Sequence, residues 1–216
     1  MIGLLGGTFD PIHYGHLRVA LEVKELFSLT ELRLIPSATP PHRQQPAASA
    51  LMRSEMLALA VQNQPGLRVD TRELARSGAS YTVDTLSSLR EEFPDASLLL
   101  FIGADAFLHL TQWYRWPHLF DYAHVVVMTR PGFIIEAVDC FFSDRLVHAR
   151  ETLAQTRAGK LFFQAVTPLD ISATAIRRMI AEKQNPGFLL PDAVIEYIQQ
   201  NQLYQVPSNI STSYRG

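Results

Sequence analysis

Short apolar runs alternate with amphipathic segments along most of the chain. Each run ends at glycine, proline or a polar loop. Continuous apolar runs of this length are typical of strands that are buried on both faces of a parallel sheet. The runs that predict strands are 1–5, 31–35, 67–70, 96–102, 124–128 and 160–164.

Most segments between these runs carry apolar residues at helical spacing. Helices are predicted from Tyr14 or Gly15 to about 27, over 49–63 and 82–92, from near Ser172, and over 191–200. In 133–159 we expect one or two helices. Strands that alternate with helices predict an α/β fold with a single doubly wound, mainly parallel sheet. One domain is expected over 1–204, and 205–216 is predicted to be a disordered tail.

Local signals refine three of these helices. In 49–63 the predicted buried side holds Leu51, Met52, Met56, Leu59 and Ala60, with Arg53 off it. Thr82 is predicted to cap its helix, and Ser172 or Thr174 to cap the helix that follows.

Composition narrows the class of protein. With 216 residues and 47% hydrophobic content, the chain can bury a full core. Its formal charge of −2 gives no global attraction to nucleic acid or to an anionic membrane. The single cysteine, Cys140, excludes an internal disulfide and a cysteine metal cluster. No segment has the roughly twenty apolar residues of a membrane span. We expect a cytoplasmic protein without nucleic-acid or membrane partners, and the sequence leaves a homo-oligomer open.

A glycine-rich loop follows the first predicted strand. Gly6 and Gly7 let the backbone approach a ligand closely, and Thr8-Phe9-Asp10-Pro11 forms a turn. His13 and His16 come next, three residues apart at a helix start, where unpaired amides favour an anion. Glycines after a strand are often only a turn, and such a histidine is often a surface residue. Their combination nevertheless favours an anion site.

A second anion site is indicated near the end of the chain. Arg177 and Arg178 lie in the first turns of the helix that begins near Ser172. Positive charge there opposes the helix dipole and is unfavourable unless an anion is present.

Other candidate residues have competing interpretations. His42 and Arg43 lie in a Pro-rich stretch that suits either phosphate contact or a solvated linker. Asp105 follows a buried strand, where it can cap a helix, bind a ribose or sit near a metal. Trp113 and Tyr114 suit either core packing or stacking on a heterocycle. Arg130 follows the strand at 124–128.

The motifs resemble those of the HxGH nucleotidyltransferase superfamily. Gly6-Gly7-Thr8-Phe9-Asp10-Pro11 with His13-Tyr14-Gly15-His16 resembles the HxGH signature, and Ile171-Ser172-Ala173-Thr174-Ala175-Ile176-Arg177 resembles the second motif, ISSTxIR. Ala173 stands where serine is usual, which leaves Ser172 and Thr174 as caps. The likeness extends over roughly 1–204 to bacterial nicotinate-nucleotide adenylyltransferases, through Pro40-Pro41-His42-Arg43, Ser80-Tyr81-Thr82, Ile102-Gly103-Ala104-Asp105, Trp113-Tyr114 and Arg130-Pro131-Gly132.

This resemblance implies a Rossmann-like nucleotidyltransferase fold and a specific reaction. ATP and nicotinate mononucleotide would give deamido-NAD and pyrophosphate in NAD biosynthesis, with Mg²⁺ assisting and no protein nucleophile. The implied catalytic residues are His13, His16 and Arg177. The implied ATP-binding residues are Gly6, Gly7, Thr8, Phe9, His13, His16, Asp105, Ser172, Thr174 and Arg177. The implied mononucleotide-binding residues are His42, Arg43, Thr82, Trp113, Tyr114 and Arg130. No residue is assigned as a metal ligand.

Two other functions stay open at this point. One is another transferase of the superfamily, such as a pantetheine-phosphate adenylyltransferase or a cytidylyltransferase, against which Trp113-Tyr114 and Ser80-Tyr81-Thr82 speak. The other is a nucleotide-binding module without turnover, which the presence of both histidines disfavours.

Overall fold

Six parallel strands form one sheet at the centre of the molecule. The computed structural model describes residues 1–38, 45–76, 78–130 and 140–205. The strands are β1 (Ile2–Gly7), β2 (Glu31–Pro36), β3 (Leu67–Val69), β4 (Leu98–Gly103), β5 (His124–Thr129) and β6 (Leu161–Ala165). Their order is β3-β2-β1-β4-β5-β6, and every neighbouring pair is parallel. The predicted sheet is therefore confirmed.

Helices connect the strands. They are α1 (Tyr14–Leu26), α2 (Ala50–Val61), α3 (Thr82–Glu92), α4 (Ala104–Leu108), α5 (Leu119–Tyr122), α6 (Cys140–Ser143), α7 (Ala173–Ala181) and α8 (Asp192–Gln200). Short 3₁₀ helices span Leu110–Gln112, Trp116–His118 and Arg150–Gln155. None of the helices in the described ranges is both long and apolar enough to cross a membrane.

The core has two halves, one on each face of the sheet. Side chains alternate along β1, so that Leu5 belongs to one half and Leu4 to the other. The first half contains buried residues of α1, α2, α7 and α8, and the second contains those of α3, α5 and α6. Helices on both faces make the sheet doubly wound, as the sequence predicts.

The sheet reverses its strand order between β1 and β4. The crossover after β1 leads to β2 on one side, whereas β4 pairs with β1 on the other, Leu5 lying opposite Phe101. Ligands of open parallel sheets bind outside the carboxyl ends of the strands at such a reversal. The glycine-rich loop after β1 and the segment after β4 both lie at this point.

Two local predictions are wrong. Arg53 of α2 is fully buried while Leu51 is 63% exposed, so the buried side of that helix is rotated from the predicted one. Tyr81, rather than Thr82, is the N-cap residue of α3, and no side chain caps it. The Ser172 cap is confirmed, because its Oγ accepts from the Ala175 amide at 3.1 Å. The predicted tail lies outside the described residues from 206 onward.

A fully buried histidine begins β5. His124 Nε2 lies 2.9 Å from the Thr156 carbonyl, and its Nδ1 accepts from the Lys160 amide at 3.1 Å. Both ring nitrogens are satisfied only in the neutral imidazole, since a protonated Nδ1 loses its acceptor role. Burial accordingly lowers the pKa of His124 from its usual 6.5.

Replacing His124 by Gln should weaken the dependence of the free energy of unfolding on pH below about pH 7. Below about pH 6.5 the imidazole of His124 is protonated in the unfolded chain but not in the folded one. The free energy of unfolding therefore decreases as the pH is lowered. The glutamine keeps a donor and an acceptor but does not titrate. Urea unfolding between about pH 7 and pH 5 should therefore show a slope shallower by up to about 1.4 kcal/mol per pH unit. Equal slopes in the two proteins would contradict this assignment.

Candidate active site

The loop after β1 leaves open space above the end of the strand. A Cβ on Gly6 would have nothing within 4 Å, whereas one on Gly7 would lie 2.8 Å from the Phe9 ring. Phe9 is only 2% exposed and adopts a left-handed φ of 49°. The loop therefore folds its aromatic residue inward beneath Gly7 and presents bare backbone to a ligand.

His13 and His16 lie together beside this loop. Their ring centroids are 3.8 Å apart in a stacked arrangement, and the ring centroids of Phe9 and His16 are 5.2 Å apart in an edge-to-face arrangement. The Nδ1 atom of each histidine is buried and has no hydrogen-bond partner among the described residues. A ligand can therefore approach the two rings through their Nε2 atoms.

Both imidazoles are neutral in the free protein at neutral pH. Burial lowers the pKa of His13 from 6.5 to about 4. Burial, aided by the charge of His13, lowers the pKa of His16 to about 3. A buried N–H without an acceptor costs more than a buried lone pair, so we assign the proton to Nε2 in each ring. The pair then offers two N–H donors.

Gly15 sets the spacing between the two sequence motifs. A Cβ on this residue would lie 3.0 Å from the His13 ring and 3.5 Å from the Ile171 carbonyl. Glycine therefore allows the His13 ring to fold against α1 while the segment before α7 passes close by. The N-termini of α1 and α7 come together as a result.

Arg177 joins the second motif to the first. Its Nη1 donates to the backbone carbonyl of Asp10 at 2.6 Å and lies 3.9 Å from the Asp10 carboxylate. Its Nη2 is 3.4 Å from the Thr174 hydroxyl. The Arg177 side chain is 30% exposed, so it keeps access to solvent. Two helix ends and one cation thus converge on one space, as an extended polyphosphate requires.

Asp105 and Arg130 lie at the carboxyl ends of β4 and β5. Asp105 is exposed in the first turn of α4, and its carboxylate folds over Gly103, where a Cβ would meet Oδ1 at 2.6 Å. Gly103 is the N-cap residue of α4, and no side chain caps that helix. Arg130 is exposed directly after β5. The predicted His42 and Arg43 lie outside the described residues.

The aromatic run at 113–116 divides into two parts. Trp116 packs on Phe141 and Phe142, with ring centroids 4.7 and 5.4 Å apart, and like Trp113 it is a partly buried residue packed against the core. Tyr114 is 50% exposed and its ring lies 4.4 Å from that of Tyr81. Since Tyr81 precedes Thr82 at the start of α3, this contact brings Tyr114 and the half-buried Trp113 near that helix end.

Comparison with known proteins identifies the family. A family model described as cytidylyltransferase-like matches residues 4–179. A protein of Halorhodospira halophila named "probable nicotinate-nucleotide adenylyltransferase" is 50% identical over 209 residues, covering 95% of this chain and 96% of its own. One of the same name from Methylococcus capsulatus is 49% identical over 208 residues, covering 94% and 99%. The chain belongs to the nicotinate-nucleotide adenylyltransferase family of cytidylyltransferase-like proteins.

A solved structure has the fold of this family. The nicotinic acid mononucleotide adenylyltransferase of Plasmodium falciparum, complexed with NaAD, superposes with a TM-score of 0.70. It is 19% identical, and the match covers 94% of this chain and 96% of that one. The two chains therefore share the same α/β architecture despite low sequence identity.

Sequence reasoning missed Arg53, whose side chain connects the loops around the candidate site. Its Nη1 donates to the Thr8 carbonyl at 2.6 Å, its Nη2 to the Ser37 carbonyl at 2.6 Å, and its Nε to the Ala48 carbonyl at 3.2 Å. The missed signal was helical spacing, since Arg53 lies three and four residues before the buried Met56 and Leu57.

Proposed function

We propose that this protein transfers AMP from ATP to nicotinate mononucleotide and releases pyrophosphate, forming deamido-NAD in cytoplasmic NAD biosynthesis. The observation that carries the proposal is the 2.6 Å contact between Arg177 and the Asp10 carbonyl, which brings both phosphate-binding motifs around one space. The acceptor is suggested by the names of relatives that are up to 50% identical along nearly the whole chain.

The reaction needs positioning more than it needs protein chemistry. The acceptor phosphate is itself the nucleophile: its oxygen bonds to the α-phosphorus of ATP while the bond to the bridging oxygen breaks and pyrophosphate leaves. We propose that the loop of Gly6, Gly7, Thr8 and Phe9 receives the α-phosphate, and that Ser172, Thr174 and Arg177 with the N-terminus of α7 bind the β- and γ-phosphates. Holding both phosphates in line supplies much of the rate.

His13 and His16 are proposed to stabilise the transition state as neutral donors. The triphosphate carries charge into a site whose histidines are uncharged when empty, since the pKa values of both are about 4 or lower. Bound phosphate raises these pKa values, because an anion favours the charged imidazole. The Nε2–H groups then strengthen their bonds as charge grows on the phosphorus oxygens.

We extend the proposal to Mg²⁺, which enters with ATP. This ion is usually bound by phosphate oxygens, waters and one or two carboxylates. The exposed carboxylate of Asp105 at the carboxyl end of β4 fits that role, and it equally fits a hydrogen bond from the ribose. When bound, the ion would withdraw charge from the phosphates.

We propose that the acceptor binds on the side of the sheet covered by α3, whereas the triphosphate binds on the side covered by α1 and α7. Trp113 and Tyr114 provide aromatic surface beside Thr82 at the start of α3, which suits a flat, negatively charged nicotinate ring. Arg130, exposed after β5, suits the acceptor phosphate. His42 and Arg43 remain in this group on the sequence motif alone.

A panel of acceptors tests the proposed function. Purified protein with ATP and Mg²⁺ should release pyrophosphate with nicotinate mononucleotide, and far less with nicotinamide mononucleotide, phosphopantetheine or a CTP-dependent acceptor pair. Preference for phosphopantetheine or for CTP would identify another transferase of the superfamily. Absence of pyrophosphate with every acceptor, despite nucleotide binding, would identify a module without turnover.

His16→Ala should lower kcat by about 10²–10³-fold, the usual loss when one transition-state donor is removed. The melting temperature is measured alongside to show that the variant is folded under assay conditions, because the His16 ring also packs on His13 and Phe9. His118→Ala is the matched control, since the His118 side chain is half-exposed and its Nδ1 lies 2.8 Å from the Asp121 carboxylate. Near-normal turnover of His16→Ala would remove His16 from the mechanism.

Trp113→Ala should raise KM for nicotinate mononucleotide by about tenfold or more, because loss of an aromatic stacking surface removes one or more kcal/mol of binding. KM for ATP should stay within about twofold. Steady-state kinetics with each substrate varied in turn measures both. Equal increases for the two substrates would place Trp113 outside the acceptor site.

A further inference from the structure

The Asp10 carboxylate is a buried junction between distant parts of the chain. The residue is 5% exposed. Its Oδ2 accepts from the Ala47 amide at 2.8 Å, and its Oδ1 accepts from the Ala48 amide at 3.2 Å and from the Tyr204 hydroxyl at 2.7 Å. Neutral donors thus satisfy a carboxylate that lies in the loop proposed to receive the triphosphate.

Tyr204 is held in place by its own segment. It follows α8 in a left-handed conformation with φ of 62°, and the preceding Leu203 packs on the core and donates its amide to the Ile198 carbonyl at 3.0 Å. Burial and the Asp10 carboxylate raise the pKa of the Tyr204 hydroxyl far above its usual range. The hydroxyl therefore stays protonated and serves Asp10 only as a donor.

The same aspartate also faces the cation of the site. Arg177 contacts the Asp10 carbonyl, while its Nη1 stays 3.9 Å from Oδ2, longer than a charge-assisted hydrogen bond of about 2.7–2.9 Å. The carboxylate is thus a nearby competitor for the guanidinium that a triphosphate requires. Each neutral donor on the carboxylate weakens that competition.

We propose that Tyr204 is a positioning residue that keeps Asp10 from capturing Arg177 and so sets the affinity for ATP. This inference rests on the proposed function. Without the hydroxyl, Oδ1 loses its shortest hydrogen bond, and the partly exposed guanidinium can close the remaining distance to form a direct ion pair. Arg177 is then withdrawn from the β- and γ-phosphates. The acceptor site at Trp113 and Tyr114 has no contact with this network in the described structure.

Tyr204→Phe tests the inference, and Tyr197→Phe is its matched control. Both changes remove one hydroxyl that donates to a carboxylate, but Tyr197 bonds to Glu55 at the surface rather than to the loop. Tyr204→Phe should raise both the KM for ATP and the calorimetric Kd for ATP about tenfold, as expected for a hydrogen bond to a charged group. KM for nicotinate mononucleotide should stay within about twofold, and Tyr197→Phe should change none of these values.

Three outcomes would overturn the inference. They are an unchanged Kd for ATP in Tyr204→Phe, an equal rise in KM for both substrates accompanied by a lower melting temperature, and the same ATP defect in Tyr197→Phe. Failure of the proposed function is a separate result, because it would be seen as no pyrophosphate release by the unmodified protein. The calorimetric comparison of ATP binding would still decide the role of Tyr204 in that case.

Discussion

The hydrogen bond from the Arg177 guanidinium to the Asp10 carbonyl is the interaction on which the site depends. The bond is 2.6 Å long and joins residues that are 167 positions apart in the chain. Two features of the fold make it possible: β1 lies beside the reversal of strand order, and α1 and α7 pack on the same face of the sheet. Once the bond is made, the N-termini of both helices face the same space. Gly15, which lies between the His13 ring and the Ile171 carbonyl, permits that approach.

The electrostatics of the site depend on which side chains are charged and which stay neutral. The chain as a whole carries a formal charge of −2, so an anion must be attracted locally. In the proposed function, helix amides and the partly exposed Arg177 supply that attraction, while His13 and His16 remain neutral because burial penalises their charged forms. Arg53 is buried, and its donors are occupied by backbone carbonyls of the surrounding loops. Its charge therefore organises the site rather than attracting a ligand.

The sequence predicted elements that are defined by local patterns. The six strand runs, the start of α1 at Tyr14 and the Ser172 cap follow from hydrophobic spacing and from hydroxyl chemistry within a few residues. It failed where tertiary contacts decide the outcome. Arg53 lies off the predicted apolar side of α2, yet carbonyls of the loop after β1 and of the segment between β2 and α2 accept its hydrogen bonds and make its burial favourable.

The predicted Thr82 cap of α3 is wrong because Thr82 is already the first helical residue and Tyr81 precedes it as the N-cap residue. The contact between Asp10 and Tyr204 joins residues 194 positions apart, and no local pattern contains it. The assignment of Thr82, Trp113 and Tyr114 to the mononucleotide came from motif resemblance, whereas their residue types left stacking and core packing open for the two aromatic side chains. Geometry adds only their proximity, through the contact between Tyr81 and Tyr114.

The 3.8 Å stack of His13 on His16 couples the protonation of the two rings. Charge on one ring disfavours charge on the other, which is one reason that the pKa of His16 lies lowest. Two protonated rings at this distance repel each other, so the protons of the pair come off in two macroscopic steps that belong to the pair rather than to either ring. In the proposed function, a bound nucleotide therefore adds the first proton to the pair more readily than the second.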